Sequence, residues 1–411
     1  MRSTAGPPCV PRPVPGLLRG IYLPRGADAG ASAMTTYGIP LLVLATTGSA
    51  SLTGLAFALE WIPRLSAFAL AGTMVDRYGT TAVFRLATVA RALIVLAAAV
   101  VLPAQNGGPG STLTVMALAA ATGVLTEFSY IAAETAGSAA AREAGARAHR
   151  VQSVLIGIDQ VSTLTGPALA AVLLDRSGPA GMLLTLAGFS LLAAALTPQQ
   201  PAPTVASAAA VKGLRTGWRT LRSLPALCWL VGGLVVSNLA VGVLQAAAPV
   251  IVVKQLGHSS TDVGLVWSAA AVASLTAVTL CRTAIDRWGL WPVGALSAII
   301  AAGATLAVAQ AHTYSTYLIL IAVLMAGEGG LTVVLRTLRS RLIPAEAFSA
   351  TLSLTILLLL LPFPLAGLLV AAVPPASLGY AITGCAVLQT LGLALSFTRL
   401  RSLPGLRAAH A

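Results

Sequence analysis

Thr73-Met74-Val75-Asp76-Arg77-Tyr78-Gly79 and Thr283-Ala284-Ile285-Asp286-Arg287-Trp288-Gly289 decide how this chain folds. The same Asp-Arg-aromatic-Gly turn closes an apolar run twice, 210 residues apart (286 minus 76) in a chain of 411. A half-length repeat inside a very apolar sequence points to a transporter built from two related helical bundles.

Composition sets these turns in a membrane protein. The chain is 57% hydrophobic and 9% charged, with a mean hydropathy of +0.87. A soluble domain carries about a quarter charged residues. The apolar residues form many runs of roughly 20, enough to cross a hydrocarbon core as helix. The net charge of +13 is no nucleic-acid signature, because the basic residues lie in the gaps between runs. Cys9, Cys228, Cys281 and Cys385 stand alone, without CxxC or a His cluster, so they read as packing residues.

Twelve spans are expected at 21–44, 52–75, 82–103, 112–133, 151–174, 181–197, 225–252, 263–283, 291–311, 316–335, 348–373 and 376–398. They divide into a tail at 1–20, a six-helix bundle at 21–197, a linker at 198–224, a second bundle at 225–398 and a tail at 399–411. The first tail is Pro-rich, lacks a signal-peptide core and is expected to be disordered. In the linker, Lys212, Arg215, Arg219 and Arg222 share one helical face beside Leu214, Trp218 and Leu221. That is an amphipathic helix for an anionic membrane surface. With the N-terminus inside, 21 Lys and Arg fall in inside segments and 2 outside, leaving Arg64 and Arg91 within spans. This asymmetry puts both termini in the cytoplasm of a cell whose inner membrane holds the protein. Trp218, Trp229, Trp267, Trp288 and Trp291 lie near span ends, and Trp61 lies within one.

An Asp at a helix end, followed by Arg and a Gly that permits a tight bend, suits a latch made in one conformation only. Gly72-x-x-x-Asp76-Arg77-x-Gly79 and its echo Asp286-Arg287-Trp288-Gly289 resemble the paired loop motifs of the major facilitator superfamily. The resemblance covers nearly the whole chain and implies an all-α integral membrane fold of twelve helices in two pseudo-symmetric six-helix bundles. Thr80-Thr81 stand where that family usually has a basic pair. Ser162-x-x-x-Gly166-Pro167 resembles the fifth-helix motif of its proton-driven exporters. It equally suits close packing of small residues around a Pro bend. The segments around Pro40, Glu60-Trp61-Ile62-Pro63-Arg64 and Asp159-Gln160 resemble the branch of enterobactin-type siderophore exporters and macrolide efflux proteins.

Charges inside spans are costly and point to a polar pathway. Asp28, Glu60, Arg64, Glu127, Asp159 and Glu328 fall on spans that line the central cavity in the family's fold, and Arg91 on an outer one. Glu60 and Arg64 are four apart and can pair with each other, or form a substrate or proton site that Trp61 borders. Glu127 and Asp159 have no basic residue near in sequence and are the proton-coupling candidates, with Glu328 beside Gly327, Gly329 and Gly330. Each has a packing alternative: a helix-packing hydrogen bond for Glu127, a tie to Gln160 or a loop arginine for Asp159, a glycine-rich contact for Glu328. Asp28, near a span end, is a cavity candidate that can also simply face the cytoplasm. Residues 112–123 lack the arginine that the superfamily's proton antiporters often carry there.

The expected function is proton-coupled export of a small amphiphilic molecule (siderophore, antibiotic or other secondary metabolite) by alternating access. An importer or facilitator on the same fold, or a non-transporting receptor, is the alternative. Neither lysine stands in a P-loop, and the four histidines form no HExxH, so neither a nucleotide motor nor an enzyme is expected. The partners expected are a small substrate, protons and the lipid bilayer. No cofactor, metal or nucleic acid is expected, and the state is a monomer.

Overall fold

The computed structural model describes residues 16–105, 108–144, 148–198, 210–344 and 347–402. A short π-helical turn, Leu18–Tyr22, leads into α1 (Leu23–Thr47). Then come α2 (Ala50–Tyr78), α3 (Thr80–Ala104), α4 (Pro109–Glu143) and α5 (Ala148–Leu196). Between the halves lies α6 (Ala210–Ser223). The second half holds α7 (Pro225–Pro249), α8 (Ser260–Trp288), α9 (Leu290–Val308), α10 (Tyr314–Leu342), α11 (Phe348–Leu360), α12 (Pro362–Ala372) and α13 (Leu378–Ser402).

Among the described residues, ten stretches are long and apolar enough to cross a membrane, and the bent pair Ala50–Phe68 and Leu70–Tyr78 makes eleven. The longest, Ser153–Leu196, has 44 residues. A straight helix of that length would run about 66 Å, twice the hydrocarbon thickness. It breaks at Gly178 (φ 69°, ψ −174°), just before Pro179, into two arms. The total is then twelve spans. The α11–α12 pair counts as one span, divided where Pro362 follows Leu361.

The repeated turn has the same backbone in both halves. Gly79 (φ 86°, ψ 154°) joins α2 to α3, and Gly289 (φ 87°, ψ 168°) joins α8 to α9, each as the single residue between helices. Only glycine adopts this region without strain. Both turns lie at one end of the molecule, the turn end, opposite the far end.

Within the first half α1 packs on α5, α2 on α4, and α3 on both α4 and α5. Within the second, α10 packs on α8 and α9, and α13 on α7 and α9. The halves meet where α5 packs on α8 and α2 on α12. Glycine makes both crossings close: a Cβ on Gly264 would lie 2.7 Å from the Pro167 carbonyl oxygen, and one on Gly54 2.5 Å from Ala371 N.

The amphipathic linker helix forms as α6. A Cβ at its Gly217 would stand 2.5 Å from the Ala350 carbonyl oxygen, so α6 lies directly on α11. Leu221 is buried while Arg215, Trp218, Arg219 and Arg222 are exposed. The side chains of Lys212 and Leu214 lie outside the described residues, as do residues 1–15 and 403–411 of the two expected tails. Helix begins at Leu18, within the stretch expected to be a disordered tail, because Leu17, Ile21 and Tyr22 pack on Val151 and Leu155 of α5.

Candidate functional site

A cavity of about 520 Å³ lies between the halves. The first half lines it with charged and hydroxyl groups: Arg25, Asp28 and Thr36 of α1, Arg64 of α2, and Asp159 and Ser162 of α5. The second half adds Asn238, Gln245, Trp267, Glu328 and Phe363.

Its far side is shut. Trp61 stacks on Phe363 across the halves at 4.5 Å between centroids, and Tyr37 meets Trp267 at 5.4 Å. Further out, Thr261 donates its N–H and its hydroxyl to the Asp175 carboxylate, each at 2.6 Å, so a side chain of one half caps a helix of the other. Ser268 donates to the Leu164 carbonyl at 2.6 Å, and Lys254 Nζ donates to the Gly48 carbonyl. At the turn end Asp76, Arg77, Asp286 and Arg287 are all exposed, and none is in an ion pair among the described residues. Arg77 instead covers its neighbour Tyr78. A Cβ on Gly72 would meet nothing within 4 Å.

All the charges inside the first half except Glu60 are paired, in combinations that chain order does not show. Arg64 Nε donates to Glu127 at 2.7 Å rather than to Glu60. The cause is the α2–α4 crossing: a Cβ on Gly123 would stand 2.1 Å from the Glu60 carbonyl oxygen. One turn further along both helices brings residues 64 and 127 together. Glu60 is fully buried and accepts from Thr36 at 3.0 Å, while its second oxygen has no partner among the described residues. Asp159 also has a basic partner: Arg25 reaches it through two nitrogens, at 2.9 and 2.7 Å, and reaches Glu134 at 3.2 Å.

Asp28 is buried rather than exposed at the span end. It is 3% exposed and accepts from Arg91 at 2.6 Å. Arg91, on the supposed outer span, is 0% exposed and also donates to Ser190 at 2.9 Å, with Ser32, Thr126 and Ser129 at 3.4 Å. It ties α1, α3, α4 and the second arm of α5 together.

Glu328 shares with Glu60 the lack of a counter-ion among the described residues, but unlike Glu60 it lines the cavity. Its carboxylate accepts from Ser237, and from Gln389 at 3.2 Å, with no cation among its partners in the described residues. The glycines around it do not loosen the backbone. A Cβ on Gly327 would stand 2.7 Å from Ala301 N, and one on Gly329 2.8 Å from the Ser274 carbonyl oxygen, so they let α8 and α9 approach. Ser162 lines the cavity, while Gly166 presses on Ala33 (2.5 Å for a Cβ) and Pro167 forms the seat of Gly264. The exporter-like motif thus lies in both the α5–α1 and the α5–α8 contacts.

Sequence reasoning misses Arg25 as a site residue and does not single out Thr36, Ser237, Asn238 or Gln389. Ser237-Asn238 is the available signal, a polar pair in the middle of an otherwise apolar span.

Two packed helical halves around a central polar cavity are the architecture of a membrane transporter. The family model described as Major Facilitator Superfamily matches residues 26–367, and the chain belongs to that superfamily. Its fold superposes on a bacterial homologue of the iron transporter ferroportin. In the inward-facing state the TM-score is 0.71, with 16% identity over 93% of this chain and 98% of that one. In the outward-facing state the TM-score is 0.62, with 17% identity over 93% and 98%. A single-residue mutant of the nucleoside transporter NupG gives 0.72, with 11% identity over 92% and 99%. No curated protein matches the sequence. The chain is therefore a non-enzymatic membrane transporter of the major facilitator fold.

Proposed function

We propose that this transporter exports a small amphiphilic cation or neutral molecule in exchange for protons, and that Glu328 is where the exchange occurs. The observation that carries this is the charge inventory of the cavity. Arg25, Asp28, Arg64 and Asp159 each have a counter-ion within 3 Å, whereas among the described residues Glu328 has a hydroxyl and an amide as partners and no cation. A buried carboxylate without a counter-ion is costly, and either a proton or a cationic cargo relieves it. The two are mutually exclusive at one carboxyl, which is the essence of antiport. Trp61, Trp267, Phe363 and Tyr37 supply apolar faces for the rest of the cargo.

Counting basic residues makes the turn end cytoplasmic, and on that reading a molecule shut at the far end is inward-open. Asp76 and Asp286 then latch in the other state, as the two halves rock against each other. Within the exporter branch that the sequence resembles, a macrolide-type amine suits the site better than a catecholate siderophore. An anionic cargo would need Arg64 or Arg91 free, and both are paired. Two neighbours are named as an iron-transporter homologue and a metal transporter. Among the described residues no three His, Cys, Asp or Glu side chains converge, which disfavours a metal cargo here.

The test is proton flux in everted vesicles carrying an imposed pH gradient, with lipophilic cations, macrolides and siderophores as the panel. Cation-triggered collapse of the gradient is expected, abolished by Glu328→Gln. Loss in Glu127→Gln or Asp159→Asn with Glu328→Gln unaffected would move the exchange site to the first half. No response to any compound would favour an importer or facilitator.

A further inference from the structure

The turn end of the second half carries a surface that lies outside the cavity lining. Three guanidinium groups lie on three indole faces: Arg222 over Trp218 at 4.8 Å, Arg399 over Trp229 at 5.5 Å and Arg401 over Trp291 at 5.6 Å. The tryptophans come from α6, α7 and α9, and two of the arginines from α13. Ser396 donates to the Trp229 carbonyl at 2.8 Å, and Trp291 Nε1 donates to the Phe397 carbonyl at 3.1 Å. The end of α13 is thereby fixed against the starts of α7 and α9. Arg215 and Arg219 are exposed on α6.

The segments that build this surface carry no acid: residues 210–229, 288–291 and 397–402 contain neither Asp nor Glu. Arg215, Arg219, Arg222 and Arg401 enter no ion pair among the described residues. The far end of the same half contrasts: there Lys254 is engaged by the Gly48 carbonyl. Stacking occupies the flat face of the Arg222 and Arg401 guanidinium groups and leaves their N–H edges, the part that matches phosphate oxygens, available. Indole rings seek the depth of lipid headgroups, so the stacked arginines stand at phosphate level. A helix laid flat with arginines on its outer face extends the same plane.

We propose that this surface binds anionic phospholipid headgroups, with Arg222 and Arg401 holding phosphate and α6 lying along the membrane plane, its Arg215 and Arg219 beside them. The site is independent of the cavity and of what the cavity carries. It predicts a requirement for anionic lipid that is the same whichever cargo the cavity carries.

The experiment is native mass spectrometry of the full chain, released from mixed micelles of phosphatidylglycerol and phosphatidylcholine. Phosphatidylglycerol is expected to be retained on the order of tenfold over phosphatidylcholine. Inorganic phosphate should not displace it, since a free ion lacks the acyl anchor. The combined variant Arg219→Gln, Arg222→Gln, Arg401→Gln should lose the preference, and the corresponding Arg→Lys variant should keep part of it through charge alone. Equal retention of the two lipids by the unaltered protein would overturn the proposal, as would an undiminished preference in the Gln variant. If the Gln variant does not fold, the Arg→Lys variant and the unaltered protein still decide between these outcomes. Displacement by inorganic phosphate would overturn it too, in favour of a free-anion site.

Discussion

Replacing Gly264 should hold the far end open. Its Cβ would lie 2.7 Å from the Pro167 carbonyl oxygen, 2.8 Å from Ala171 Cβ and 2.9 Å from Ala168 Cα. Ordinary contact starts near 3.4 Å, so alanine must part α5 from α8 by about 0.7 Å (3.4 minus 2.7). Overpacking of this kind costs about 1–3 kcal/mol, a partial shift away from the closed state. Tryptophan brings roughly 200 Å² of ring surface to a place with no room for one carbon. The neighbouring bonds then go as well: two to Asp175 and one to the Leu164 carbonyl, at about 0.5–1.5 kcal/mol each. The sum is about 2.5–7.5 kcal/mol, which brackets the roughly 5.5 kcal/mol that turns a 99:1 equilibrium into 1:99. Spin labels at Ala104 and His312, exposed at the far ends of opposite halves, would report it in a background free of the four native cysteines. The expected order of the long-distance population is native, then Gly264→Ala, then Gly264→Trp. Gly54→Trp should act alike at the α2–α12 crossing. A folded Gly264→Trp protein with an unchanged distance distribution would refute the idea that this contact closes the far end.

Three further outcomes concern the charged groups. Arg91→Ala leaves Asp28 buried without its cation and should lower stability by about 3–5 kcal/mol, while the pair Asp28→Asn with Arg91→Gln should lose less; thermal unfolding in one detergent measures both. Glu127→Gln frees Arg64 in the cavity wall and should raise the affinity of anionic ligands several-fold at the expense of cations, seen by competition binding. Asp76→Asn touches an exposed residue with no ion pair among the described residues, so stability should hold within about 0.5 kcal/mol by thermal unfolding while turnover slows.

The architecture is legible because its signals are local. The glycine turns at 79 and 289 and the apolar runs read directly from neighbouring residues. So does the basic stripe of α6, through Arg215, Arg219 and Arg222. The site is legible only as a set of costly charges. Which carboxylate meets which cation depends on helix crossings, and these are set by contacts such as Gly123 on Glu60 that no local pattern announces. Arg64 therefore pairs 63 positions away rather than with Glu60 four positions away. Span order places Arg91 on an outer helix because it implies position, not rotation; the side chain turns inward to Asp28. Glu328 stands out in the sequence among glycines, and those glycines bring helices together.

The Arg91–Asp28 pair also bears on how the chain enters the membrane during synthesis. A charge disfavours insertion of a lone helix, by up to about 2.5–3.5 kcal/mol at its centre and by less towards its ends. α1 carries both Arg25 and Asp28, and their partners arrive much later, Arg91 in α3 and Asp159 in α5. Made before its partners, α1 thus settles poorly in lipid alone. It has to linger beside the insertion machinery until α3, and then α5, are made. The first six helices would be released as one assembled unit rather than one at a time, and a nascent chain truncated before α3 should leave α1 extractable by alkali.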